Sequence, residues 1–251
     1  MNLRKSLIVL LSLLVWTLPE THATGKKILY IGDSVTDGNW GKVSGGPNRS
    51  LTDMNHIFGH GYMFICAARY MADYPEEDYR FYNRGISGNR VADLKARWQQ
   101  DALEIDPDIL SVLVGVNDLL DVYNKTDGPQ EVDTARFEAD YRDILDRSRA
   151  QNPEVRIVLA EPFILPVGMW QEHYTHWRAQ CDRLGAVVKK LAKEYDAVFL
   201  PYQGLFDKLA HDARTPKLSY WMWDGTHPTA AGHEKMAELW MQSCLLYTSP
   251  S

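Results

Sequence analysis

Five short β-prone runs, separated by segments of helical period, constrain this 251-residue chain more than anything else in it. The runs cover residues 28–31, 79–83, 109–114, 155–160 and 197–200, and turn-forming residues close them. Between them lie helical patterns over residues 62–72 and 91–100. A third pattern, capped by Asp133 or Thr134, puts Phe137, Tyr141, Ile144, Leu145 and Ser148 on one face. A fourth aligns Leu184, Val187, Val188 and Leu191, and a last helix is expected over residues 229–242. Strands that alternate with helices must run parallel and connect by right-handed crossovers. The expected fold is therefore α/β: a three-layer α/β/α sandwich around a central, mostly parallel five-stranded sheet of flavodoxin-like type. The run 109–114 is apolar except at Ser111, which predicts a central strand. No internal repeat or linker divides the chain, so residues 24–243 read as one domain.

The two ends are set apart from that domain. Arg4 and Lys5 precede an apolar run from Leu7 to Leu18, and Thr21-His22-Ala23 offers small residues at a cleavage position. Residues 1–23 thus read as a secretory signal peptide, the apolar core being short for a spanning anchor. A secreted or periplasmic protein with no membrane contact after cleavage is expected. The last eight residues, Cys244 to Ser251, resemble a translated read-through of a sequencing-library adapter and are left out of the fold. Loss of residues 1–23 removes Arg4, Lys5 and Glu20 and moves the formal charge from −6 to −7. That sign argues against nucleic acid or an anionic membrane as partner. Cys66, Cys181 and Cys244 make no disulfide framework, although one pair is open to them in an oxidising compartment. No His/Cys cluster has metal-ligand spacing, so no metal and no cofactor is expected. Oligomeric state is left open, a homo-oligomer included.

The chemistry sits at the ends of the predicted strands. Gly32-Asp33-Ser34 closes the first, Gly85 to Asn89 follow the second, and Gly115-Val116-Asn117-Asp118 follow the third. In a parallel sheet these loops open on one edge, where α/β proteins place their sites. Near the C-terminus stands Trp223-Asp224-Gly225-Thr226-His227-Pro228, in which a carboxylate can reach an imidazole across one turn. A serine nucleophile needs a base, the base an orienting group, and the oxyanion preset donors. Ser34 is the expected nucleophile, His227 the general base and acid, and Asp224 the orienting carboxylate. The backbone N–H groups of Ser34 and Gly88 and the side-chain amide of Asn117 are the expected oxyanion hole.

In this order the blocks Gly32-Asp33-Ser34, Gly88, Gly115-x-Asn117-Asp118 and Asp224-x-x-His227 resemble those of the SGNH, or GDSL-type, serine esterases and lipases. The Gly-x-Ser-x-Gly elbow of α/β-hydrolases is absent. The stretch Asn83 to Trp98, together with Trp223-Asp224-x-x-His227-Pro228, further resembles the acetylxylan esterase branch of carbohydrate esterases. That resemblance implies a serine esterase that forms an acyl-enzyme and deacetylates plant polysaccharide or oligosaccharides. A lysophospholipase or arylesterase type of hydrolase is the rival within catalysis. An inactive carbohydrate-binding protein on the same fold is the rival outside it.

Several further residues are candidates by position. Trp40, Trp221 and Trp223 lie near motif residues in sequence and could stack on sugar rings, and His60 joins them as a substrate-binding candidate. Asp33 and Asp118 are expected to fix loops by hydrogen bonding, and Arg97 to form a structural ion pair. Ser87 is a distant second choice as nucleophile. The glycine-rich loop 41–61, with Gly45-Gly46-Pro47 inside it, is expected to carry much of the substrate choice.

Overall fold

The computed structural model describes residues 25–41, 56–125 and 130–248. The expected signal segment, most of the glycine-rich loop and the last residues of the expected foreign tail lie outside them. Five strands, β1 (Lys27–Gly32), β2 (Arg80–Gly85), β3 (Ile109–Leu113), β4 (Arg156–Ala160) and β5 (Val198–Leu200), form one sheet in the order β2-β1-β3-β4-β5. All four pairings are parallel, so the sheet is parallel throughout. In register, Gly32 lies opposite Gly85 on one side and Leu113 on the other, which brings three strand ends to one edge. The order reverses beside β1, the point at which open α/β sheets form their crevices.

Alternation along β1 sends side chains to both faces. Leu29 and Ile31 join Leu110, Val112 and Leu159 in one core layer, against helices α3 (Val91–Trp98), α5 (Thr134–Gln151) and α6 (Tyr174–Glu194). Ile28 and Tyr30 join Phe81 and Val158 in the other, against α2 (Tyr62–Asp73), α7 (Tyr202–Ala210) and α8 (Ala230–Thr248). The buried face of α5 is the one its spacing predicts, Phe137, Tyr141, Ile144, Leu145 and Ser148, and the Asp133 side chain caps it by accepting from the Arg136 N–H. Ser111, the one polar residue of β3, accepts a hydrogen bond from the Trp240 indole at 3.0 Å, which satisfies its hydroxyl in the core.

Three elements differ from expectation. Ser34–Asp37 (α1) is a single helical turn where a loop was expected, and Val116–Tyr123 (α4) and Tyr202–Ala210 (α7) are helices where none was expected. The last helix runs past residue 242 to Thr248, and Cys244 is buried in the core. The cysteines are all free. Cys66 and Cys181 sit in core layers on opposite faces of the sheet, so the pairing open to them in sequence does not form. Among the described residues, no helix is long and apolar enough to cross a membrane, and no cluster of three or more His, Cys, Asp or Glu could hold a metal.

Candidate active site

β1 stops at Gly32, and Asp33 takes an extended conformation while its carboxylate accepts from the Val35 N–H at 3.0 Å. That is helix N-capping, and it turns the chain into α1 directly at the sheet edge. Ser34 therefore holds the first helical position, where a backbone N–H has no acceptor within its own helix. Among the described residues, the Ser34 N–H has no other partner. The Ser34 hydroxyl points instead to His227, with Oγ 2.7 Å from Nε2.

His227 is aimed by the turn that carries it. Its Nδ1 lies 2.7 Å from Asp224 Oδ2, while Oδ1 of the same carboxylate accepts from the backbone N–H groups of His227 at 2.7 Å and Thr226 at 2.9 Å. Both oxygens are thereby assigned separate tasks. A carboxylate can only accept, so Nδ1 carries the proton and Nε2 is left as the acceptor facing Ser34. The turn closes through Gly225 at φ +91°, and a Cβ there would fall 2.3 Å from the Val167 carbonyl. The wall it presses on also supplies the Trp170 indole N–H, which donates to Thr226 Oγ1 at 2.7 Å.

Electrostatics fit a base. The Asp224 hydrogen bond lifts His227 above the ordinary histidine value of 6.5, although burial opposes it. Burial alone would raise Asp224, but the bonds from His227 and from two backbone amides hold it below the usual carboxylate range. Asp33 and Asp118 are pushed up to about 7, chiefly by burial. Asp33 caps α1, and Asp118 accepts from the Val91 N–H at the start of α3, so both fix loops.

The other two donors of the expected oxyanion hole lie on two neighbouring loops. Gly88 has φ +84°, with nothing within 4 Å of where a Cβ would sit, so conformation and not space selects glycine there. Its N–H is the one backbone N–H of residues 86–89 without a partner among the described residues. Asn117, in the first turn of α4, donates one amide hydrogen to the Asn89 carbonyl at 3.0 Å. That bond fixes the orientation of the side chain, and the second amide hydrogen has no partner among the described residues.

A serine, histidine and aspartate in bonded sequence beside unpaired donors form an arrangement that can carry out acyl transfer. Residues 30–235 match the model of the GDSL-like Lipase/Acylhydrolase family. The chain belongs to that family. This GDSL-like chain is 33% identical over 224 residues to an acetylxylan esterase of Geobacillus stearothermophilus, an alignment that covers 87% of the chain and 94% of the relative. A crystal structure of an acetylxylan esterase from that organism superposes with a TM-score of 0.71 at 32% identity, over 88% of this chain and 94% of that one. A GDSL-like lipase candidate from Parabacteroides merdae ATCC 43184 superposes with a TM-score of 0.75 at 32% identity, over 89% and 97%. The GDSL-like chain is accordingly a carboxylic ester hydrolase of the SGNH superfamily, on its acetylxylan esterase branch.

The aromatic candidates divide. Trp223 is 63% exposed, and its ring stacks on His227 at 5.9 Å between centroids. His60 is exposed, meets His56 edge-on and anchors to the Gly38 carbonyl through its own N–H. Trp40 is not a platform for a sugar: it is buried, its indole donates to the Gly85 carbonyl at 2.7 Å, and Arg84 lies over its ring. Trp221 is half-buried against the core, and its indole is bonded to Thr215 at 2.9 Å, so it too braces the fold of this GDSL-like chain. Nearness in sequence to a motif does not tell which way an indole faces. Arg97 pairs with Asp101 as expected, but it also donates to the Asn89 side chain and to the Gly32 carbonyl, so it ties both loops of the site together. Two contributors were not legible as such: Trp170, distant in sequence, and Ser87, which bonds to Asp37 and not to a base. A cleft of about 570 Å³ at the opposite edge of the sheet, lined by Ile109, Arg156 and Val198, holds no bonded nucleophile–base pair among the described residues.

Proposed function

We propose that this esterase removes acetyl groups from plant polysaccharide or its oligosaccharides through an acyl-enzyme on Ser34. The observation that carries the mechanism is the chain of two 2.7 Å contacts from Ser34 Oγ through His227 to Asp224. His227 Nε2 takes the hydroxyl proton as Ser34 attacks the acetyl carbonyl. The tetrahedral oxyanion is held by the N–H groups of Ser34 and Gly88 and by the Asn117 amide. Collapse returns the proton to the departing sugar hydroxyl and leaves acetyl-Ser34. A water molecule then gives a proton to His227 as it attacks the acetyl group, and His227 returns that proton to Ser34 Oγ as the acyl–oxygen bond breaks and acetate leaves. Asp224 keeps the imidazole in the required tautomer and stabilises the imidazolium in both halves of the cycle.

The substrate half of the proposal rests on the acetylxylan esterase of G. stearothermophilus, which this chain matches over nearly its whole length. Structures of catalytic mutants of that enzyme, with a serine, an aspartate or a histidine replaced by alanine, match as well. Trp223, exposed beside His227, is the side chain we assign to a sugar ring. On the same reading the enzyme works outside the cytoplasm, after cleavage of residues 1–23. Acetylated xylo-oligosaccharides are expected to release acetate, and an acetyl ester is expected to be cut faster than the octanoyl ester of the same alcohol. Acetate quantification and a paired aryl-ester assay measure both. Preference for octanoyl with no acetate from the oligosaccharide would replace this reading by a lipid ester hydrolase.

A further inference from the structure

We propose that Asp37 is a positioning residue that presets the oxyanion hole, acting on Gly88 through Ser87. Asp37 closes α1, three residues after the nucleophile, and is 2% exposed. Its carboxylate bonds neither to Ser34 nor to His227. One oxygen accepts from the Asn39 N–H at 3.1 Å. The other accepts both the backbone N–H of Ser87, at 2.9 Å, and the Ser87 hydroxyl, at 2.8 Å. A buried carboxylate is costly without such donors, and the two on Ser87 tie it to the neighbouring loop.

The geometry of that loop gives the commitment its effect. The Gly88 N–H belongs to the peptide plane between Ser87 and Gly88, so its direction follows the backbone of Ser87 and the φ of Gly88. Glycine alone does not hold φ +84°, because no Cβ restricts it. The residues on either side do. Ser87 is held at two atoms by Asp37, and the Ile86 N–H donates to the Gly32 carbonyl at 3.0 Å. Asn89 is held by Arg97 at its side chain and by Asn117 at its carbonyl. The nucleophile segment and the Gly88 loop are thus one bonded unit, joined by Asp37 at Ser87 and by Arg97 at Asn89. Donors that must already point at a developing charge gain most from such fixation, and a misplacement of about 1 Å can cost ~10²-fold in rate.

This inference rests on the oxyanion-hole assignment made above, and one assay separates the two. Hydrolysis of 4-nitrophenyl acetate is measured for the parent and for Ser87→Ala, Ser87→Thr, Asp37→Asn and Asn117→Ala, with thermal midpoints recorded for each. Ser87 is exposed, so its alanine variant is expected to fold. The expected result is a kcat about 10-fold lower in Ser87→Ala and about 10- to 100-fold lower in Asp37→Asn, with KM within about 2-fold. Ser87→Thr, which keeps the hydroxyl, is expected to recover most of the rate. A purely structural bond would lower the thermal midpoint and leave kcat of the folded enzyme unchanged. A large loss in Asn117→Ala with kcat unchanged in Ser87→Ala and Asp37→Asn would overturn the role of Asp37 alone. A raised KM at constant kcat in Ser87→Ala would overturn it too, by making Ser87 a substrate contact. Unchanged kcat in all the variants would remove the oxyanion-hole assignment with it.

Discussion

Ser34→Ala is expected to lose about 10⁶-fold in kcat for a simple acetate ester, to the floor of detection, while the protein stays folded. The size of the loss follows from the covalent route. Without Oγ no acyl-enzyme can form, and what remains is direct attack by water in a pocket whose donors are still in place. Folding should survive because the only hydrogen bond of the Ser34 side chain among the described residues is the one to His227. Asp33 keeps its cap on α1 through the backbone of Val35, which the substitution does not touch. Initial-rate kinetics with circular dichroism on the same preparation measure both halves of this expectation. Substantial turnover in a folded Ser34→Ala enzyme would contradict it.

Asp224→Asn is expected to lower kcat by about 10⁴-fold with little change in KM. The reason lies in how the carboxylate divides its oxygens. Oδ1 is taken by two backbone N–H groups, and Oδ2 faces His227 Nδ1. Asparagine must keep its one oxygen toward the backbone amides, so its NH₂ faces Nδ1. His227 then has to carry its proton on Nε2, where it cannot accept from Ser34. The pH profile adds a second sign. The base must be neutral, so activity falls as pH drops through the His227 pKa, which Asp224 holds above 6.5. Neutralising Asp224 removes that support, and the acidic limb of the residual activity is expected to move to lower pH. A limb that stays in place would contradict Asp224 as the source of the shift.

The fold was largely legible because its signals are local and repeated. A short apolar run closed by a glycine located β1, and the α5 stripe with its Asp133 cap located that helix and its buried face. Alternation of strand and helix was enough to order the layers. What escaped was short or depended on partners far along the chain. α1 is one turn long, so it has no period to read, and Asp33 and Ser34 look like ordinary turn residues until the cap is seen. α4 begins on a motif whose Gly and Asn argue for a loop. Ser34, Gly88, Asn117, Asp224 and His227 could be chosen because each residue type suits one step of ester hydrolysis and their order resembles a known family. Trp40 and Ser87 could not be resolved in that way. The facing of an indole and the partner of a hydroxyl depend on Gly85 and Asp37, contacts that only the folded sheet edge creates.

The most direct test of the central claim is to find the acetyl group. The enzyme is mixed with 4-nitrophenyl acetate, quenched in acid within the first turnovers, digested and mapped by mass spectrometry. The predicted result is one acetyl group on the peptide that carries Ser34, localised to that serine. Acetyl on Ser87 or on another side chain, or rapid turnover with Ser34 never labelled, would contradict the account.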